Sequence, residues 1–239
     1  MKLLTAVLSL VGLAIASPIQ AEDASLDLTK LDDFRDPKGW EIVKSVTDDK
    51  EEKKQWKTVE PGTGLLINGC EGKAGNLETK GEFGDVEVEV EFMIPKGSNS
   101  GIYFQGRYEV QILDSFGKSD DEISVHDCGA IYERWDENRD PKGYEGTIPN
   151  TNASKAPGEW QTYHIIFRAP RFDDQGNKTE NARFVKVEHN GKVIHENVEC
   201  TGPTRGGSAK EVATGPFRIQ GDHGPVAFRR FSIKTIGLD

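Results

Sequence analysis

Between residues 86 and 94 the chain reads VEVEVEFMI, so that Val86, Val88, Val90, Phe92 and Ile94 alternate strictly with Glu87, Glu89, Glu91 and Met93. An extended chain sends successive side chains to opposite faces, so a run of period two buries one face and wets the other only as a β-strand. The same residues wound as a helix would scatter valine and glutamate over every side. The outer glutamates are expected to keep this strand soluble and to protect a sheet edge.

Strand signals recur along the rest of the sequence. Trp40 to Val46 is a short candidate, Asp48 to Lys54 a charged loop, and LLIN at 65–68 an apolar strand reached through Pro61, Gly62 and Gly64. NLET at 76–79 leads into the alternating run. WQTYHIIFR at 160–168 places Tyr163, Ile165 and Phe167 on one face, and the segments 183–189 and 192–198 flank Asn190-Gly191, a type I′ hairpin signal. PFRIQ at 216–220 and Val226 to Lys234 complete the series. No amphipathic helix interrupts them. Strand spacing and turn chemistry predict an all-β fold, a jelly-roll sandwich of two antiparallel sheets. The stretch 116–160 has no strong periodicity, and a loop of that length is expected to cover one face of the sandwich and to carry function.

Lys2 followed by a charge-free run from Leu3 to Ile15 is the pattern of a signal peptide, too short for a bilayer span. Cleavage after Ala16 or after Ala21 both suit the small residues there. The mature protein is therefore expected to be exported, periplasmic or secreted, with residues 22–38 an exposed lead-in and 39–239 one domain. Forty acidic against thirty basic residues, a net charge of -10, argue against nucleic acid or an anionic membrane as partner. No other segment is apolar and long enough for a membrane span. Cys70, Cys128 and Cys200 are an odd set; in an oxidising compartment a disulfide between Cys128 and Cys200 is the favoured pairing. No cysteine or histidine spacing matches a structural zinc site, and no nucleotide cofactor is indicated.

The stretch NSGIYFQGRYEVQILDS, 99–115, holds the candidate chemistry. Period two turns Tyr108, Val110 and Ile112 one way and Arg107, Glu109 and Gln111 the other. Gly106 allows a bend before this strand, and Asp114 with Ser115 closes it. The polar residues are either a solvated outer face or the floor of a site. PFRIQGDHG repeats the pattern with Arg218 and Gln220 opposite Phe217 and Ile219, and sets Asp222-His223 between glycines. On one sheet face these residues would form a floor for a small carbohydrate. Amides and carboxylates pair with hydroxyls there, and aromatics such as Tyr103 and Tyr132 cover the apolar face of the ring. Glu109 is the best candidate carboxylate and His223 the best-placed histidine for proton transfer.

Five segments taken together, namely 99–115, DCGAIY at 127–132, GEWQTYHI at 158–165, HNGKVI at 189–194 and GPFRIQGDHGPVAFRRFSI at 215–233, resemble the 3-keto-disaccharide hydrolase family. The resemblance runs from about Gly39 to the C-terminus. It implies a concanavalin A-like jelly roll, and cleavage of 3-keto-glucosides by 1,2-elimination followed by hydration of 3-keto-2-hydroxyglucal, a net hydrolysis. For that chemistry, residue type and motif position make Glu109 and His223 the expected base and acid, in open order. Arg107 and Arg218 would stabilise an enolate oxygen, and Gln111, Gln220 and Tyr132 would hold hydroxyls. A divalent metal ion held by Glu109, Asp114 and Asp222 is the alternative electrophile. Two other readings fit the same fold: a non-catalytic carbohydrate-binding module, and a structural exported domain that binds a protein or the cell surface.

Overall fold

The computed structural model describes residues 24–26 and 30–239, and the expected leader lies outside them. In chain order the strands are β1 (Ala24–Ser25), β2 (Phe34–Arg35), β3 (Glu41–Asp48), β4 (Trp56–Ile67), β5 (Leu77–Thr79) and β6 (Val86–Met93). There follow β7 (Asn99–Phe104), β8 (Tyr108–Leu113), β9 (Arg134–Trp135), β10 (Gly143–Tyr144), β11 (Gln161–Arg168) and β12 (Arg171–Phe172). The last are β13 (Lys178–Glu180), β14 (Ala182–His189), β15 (Lys192–Cys200), β16 (Arg218–Ile219) and β17 (Ala227–Thr235). Among the described residues there is no helix, and so none long and apolar enough to cross a membrane.

Two antiparallel sheets make the sandwich. The large one runs β15-β14-β11-β6-β17-β4-β3, with β1 also on β17, and the small one runs β2-β5-β16-β7-β8. The inner faces meet in a core of alternate residues, as the period-two reading requires. Val86, Val88, Val90 and Phe92 come from β6, Tyr163, Ile165 and Phe167 from β11, and Ile102, Phe104, Tyr108, Val110 and Ile112 from β7 and β8. At its centre Phe104 of the small sheet lies 5.0 and 5.2 Å from the rings of Phe167 and Phe184 of the large one, and 4.9 Å from Phe217. Each such ring contributes about 2–3 kcal/mol by burial alone, and removing Phe104 would open the contact between the layers. The Asn190-Gly191 hairpin is as expected, both residues at positive φ and His189 paired with Lys192.

Several expectations are corrected. The alternating strand β6 is central, hydrogen-bonded to β11 and β17, so its glutamates guard no edge. They pair instead across neighbouring strands: Glu87 accepts from His164 Nε2 at 2.8 Å, Glu89 faces Arg230 and Glu91 faces Arg229. Its wet face stops at Met93, which is buried in a second apolar cluster with Val43, Trp56 and Ile67. The lead-in is not simply exposed, because Leu26 and Phe34 are buried and β1 and β2 extend the two sheets before residue 39. The three cysteines are free. Cys128 is buried with its Sγ 3.2 Å from the Tyr163 hydroxyl, and Cys200 is buried at the end of β15.

The long loop runs along the edge of the small sheet rather than across a face. Gly129 and Tyr132 donate backbone bonds to Gln111 and Glu109 of β8 at 2.9 and 3.0 Å, and Gln111 donates to Ala130 at 3.0 Å. The loop therefore acts as an added strand beside β8, and this edge is what fixes the wall of the cleft described next.

Candidate functional site

The outer face of the small sheet is where the polar parity of β7, β8 and the residues around β16 converges. In the β7–β8 hairpin Tyr103 pairs with Glu109 and Gly101 with Gln111, so these four lie on the face opposite Ile102, Phe104, Tyr108 and Val110. Gln220 reaches the same face, its backbone N–H donating to Gly101 O at 2.9 Å. A loop at 203–208 closes over the strand: Thr204 N–H donates to Arg107 O at 2.9 Å, and Glu109 N–H donates to Thr204 Oγ1 at 3.2 Å. The result is a cleft of about 240 Å³ lined by Asn99, Tyr103, Glu109, Gln111, Tyr132, Arg205, Gly206, Gln220 and His223.

Glu109 is the chemical centre of that cleft. It is 2% exposed, and removal of its carboxylate from water pushes its pKa up to about 8, against the partial relief of a hydrogen bond with Tyr103. Burial, and then the nearby negative charge of Glu109, raise the pKa of the Tyr103 phenol. Tyr132 is raised for the same two reasons in the same order. Both hydroxyls therefore stay protonated and can donate. Tyr103 OH also lies 3.3 Å from Arg205 O, and Tyr132 OH lies 3.2 Å from His126 Nδ1.

At the rim the Asp222-His223 turn gives a carboxylate-imidazole pair, Oδ1 to Nδ1 2.5 Å, leaving Nε2 as the ring nitrogen without a partner among the described residues. Such a pair orients an imidazole for proton transfer. Two buried side-chain oxygens in the lining, Asn99 Oδ1 and Gln220 Oε1, have no hydrogen-bond partner. Unpaired acceptors of this kind are costly unless a ligand donates to them. Gln111 is less free, since its Oε1 accepts from the Ile112 N–H at 3.0 Å.

Of the residues expected from sequence, the structure brings together Glu109, Tyr103, Gln111, Tyr132, Gln220 and His223. It does not bring in Arg107, whose guanidinium donates to the carbonyls of Lys210 and Gln105 behind the cleft. Arg218 is on the right face but is consumed: it donates to Glu78 at 2.8 Å, Gly206 O at 3.0 Å and Ser208 Oγ at 2.9 Å. Asp114 accepts from the Gly97 N–H at 2.7 Å and lies in a different groove, with Lys96 and Phe116. Glu109, Asp114 and Asp222 do not gather, and among the described residues no three histidine, cysteine or acidic side chains are placed to hold an ion. The donors do not fit the metal site that the sequence suggested, and no step is derived through it.

Asn99 and Arg205 were missed. Asn99 opens the 99–115 stretch, and a polar residue in the parity of Gly101 and Tyr103 was the available signal. Arg205 lies in TGPTRGGSAK, a segment with no periodicity to read.

Comparison with known proteins bears on the family and the fold. A profile of the 3-keto-alpha-glucoside-1,2-lyase-like domain matches residues 27–234. The chain belongs to this family. Among solved structures, a protein of Parabacteroides distasonis ATCC 8503 provisionally assigned as a glycosyl hydrolase is similar, with 26% identity, a TM-score of 0.61, and coverage of 90% of this chain and 84% of that one. A second P. distasonis protein with the same provisional assignment shares the fold at 19% identity and a TM-score of 0.57, over 90% of this chain and 100% of that one. No curated protein matches the chain in sequence. Family membership and the jelly roll expected from the strand pattern thus stand together.

Proposed function

We propose that this chain is an exported carbohydrate-active enzyme that cleaves 3-keto-glucosides by 1,2-elimination and hydrates the resulting 3-keto-2-hydroxyglucal. The observation that carries this reading is Glu109, a carboxyl on a cleft floor whose burial sets its pKa at about 8. A ketone at carbon 3 acidifies the proton on carbon 2, and a base of that strength is matched to removing it near neutral pH. The lining has no second carboxylate facing Glu109, whereas a retaining or inverting glycosidase would need a pair.

In the elimination Glu109 takes the carbon-2 proton, and the electron pair moves to the carbon-3 oxygen as an enolate. The Tyr103 and Tyr132 hydroxyls, both adjacent to Glu109, donate to that oxygen. The enolate then collapses, the carbon 1–carbon 2 double bond forms, and the bond from carbon 1 to the glycosidic oxygen breaks. His223, oriented by Asp222, protonates the departing oxygen through Nε2. In the hydration the roles reverse: His223 takes a proton from water as it adds to carbon 1, and Glu109 returns its proton to carbon 2. Asn99 and Gln220 accept from sugar hydroxyls through their unpaired oxygens.

The test is incubation of the purified protein with a 3-keto-glucoside, following the 2-hydroxyglucal intermediate and the released aglycone. Turnover that is lost in Glu109→Gln while ligand affinity persists supports the reading. Saturable sugar binding without turnover in the wild type would make the protein a binding module instead.

A further inference from the structure

Two of the arginines near the cleft have their guanidinium groups committed to the protein itself. Arg218 is held by Glu78, and Arg107 by main-chain carbonyls. Arg205 lines the cleft and is exposed, and among the described residues it forms no ion pair. Glu137 feels its charge, but that carboxylate is already bound by Lys142 at 2.6 Å and by Trp135 Nε1 at 2.7 Å.

The Arg205 guanidinium, which also donates a hydrogen bond to the Tyr132 hydroxyl of the cleft, is held in place. Its carbon lies 3.8 Å from the centroid of the Trp135 ring, a stacking that fixes the plane of the fork. Its backbone N–H donates to Glu133 O at 2.8 Å, and its carbonyl accepts from the Tyr103 hydroxyl of the cleft floor. Trp135 stands on β9, in the small β9–β10 hairpin braced by Arg134–Glu145 and by Arg139 over the Tyr144 ring at 4.0 Å. A flexible cation on a surface loop would be common. A cation stacked on an indole, without an ion pair in a chain of net charge -10, is placed to meet an anion at the mouth of the cleft.

We infer that Arg205 selects substrates whose aglycone carries an anionic group, a carboxylate in the simplest case, held at the cleft mouth while the sugar occupies the floor. This rests on the reading of the floor as a 3-keto-glucoside site. The unpaired Asn99 and Gln220 oxygens call for hydroxyl donors and belong to the sugar. The exposed Arg205 cation calls for a counter-charge that a neutral sugar does not supply.

A matched pair of 3-keto-glucosides, of 4-hydroxybenzoate and of its methyl ester, isolates the charge. The wild type at low salt is expected to favour the carboxylate by about tenfold in kcat/KM, the scale of one charge-assisted hydrogen bond. The difference should lie in KM, shrink in high salt, and vanish in Arg205→Met. Arg205→Lys should keep part of it. Equal use of both substrates, or a preference that survives in Arg205→Met, overturns the inference, as does an equal loss of kcat on both. Calorimetric binding of the two compounds to Glu109→Gln reads the same preference without turnover. A wild type that turns over neither compound therefore counts against the eliminase reading, while the binding ratio still decides the role of Arg205.

Discussion

A Cβ built on Gly101 would lie 2.0 Å from Glu109 Oε1. The missing side chain on β7 is the space in which the carboxyl on β8 sits, and the backbone of Gly101 is otherwise ordinary strand that alanine adopts readily. Gly101→Ala is therefore expected to keep the fold and to displace the Glu109 tip. Misplacing a reacting group by an ångström costs about 100-fold. The variant should lose at least that in kcat/KM while its far-ultraviolet circular dichroism is unchanged. Wild-type kinetics in Gly101→Ala would mean that Glu109 is not where the reaction happens.

Burial of Glu109 also carries a stability signature. Its pKa rises from an ordinary 4.5 to about 8 on folding, so below pH 4.5 both states hold the proton and burial exacts no charge penalty. As pH rises from 4.5 towards 8 the unfolded chain ionises first, and the native state loses stability, on the order of a few kcal/mol when complete. Urea midpoints of Glu109→Gln should lack that decline, leaving the variant close to wild type at pH 5 and the more stable protein at pH 9. Parallel pH profiles would show that the carboxyl is not buried. The same ionisation should appear as a rise of kcat/KM through about pH 8, since the base works deprotonated.

The strand pattern was legible because β6, β8 and β11 alternate apolar and polar residues and each has one face on the core. Parity failed where a residue left the strand. Arg107 shares the period of Glu109 and Gln111, but it stands in the 105–107 turn, where Gln105 and Gly106 have positive φ, and there odd and even no longer name a face. Glu109 posed a different difficulty. Whether its face is wet depends on the 203–208 loop, about a hundred residues away, and nothing in the local sequence announces that cover. The disulfide expectation failed for a similar reason, since flanking the same strands does not bring two sulfurs into contact.

The reassignment of Arg107 is itself testable. Its guanidinium serves two main-chain carbonyls behind the cleft, and leaving buried acceptors without donors costs about 1–3 kcal/mol. Arg107→Met should lower thermal stability by that order, yet leave kcat and KM of the folded protein within about threefold, the residual effect of moving a neighbouring strand by tenths of an ångström. A selective collapse of kcat at unchanged stability would return Arg107 to the reaction.

The cysteines give the last prediction. Cys70 is exposed, with its Sγ 3.2 Å from Trp56 O, whereas Cys128 and Cys200 are buried. Burial raises the pKa of both inner thiols, Cys200 to about 12. The thiolate is the reactive form, so these two should be inert to a thiol reagent in the native state at neutral pH. One equivalent should react in buffer and three in denaturant, without any reductant, and dithiothreitol should leave the melting temperature unchanged. A count of one thiol in denaturant, rising to three only after reduction, would establish a disulfide and place Cys128 and Cys200 closer than the fold described here puts them.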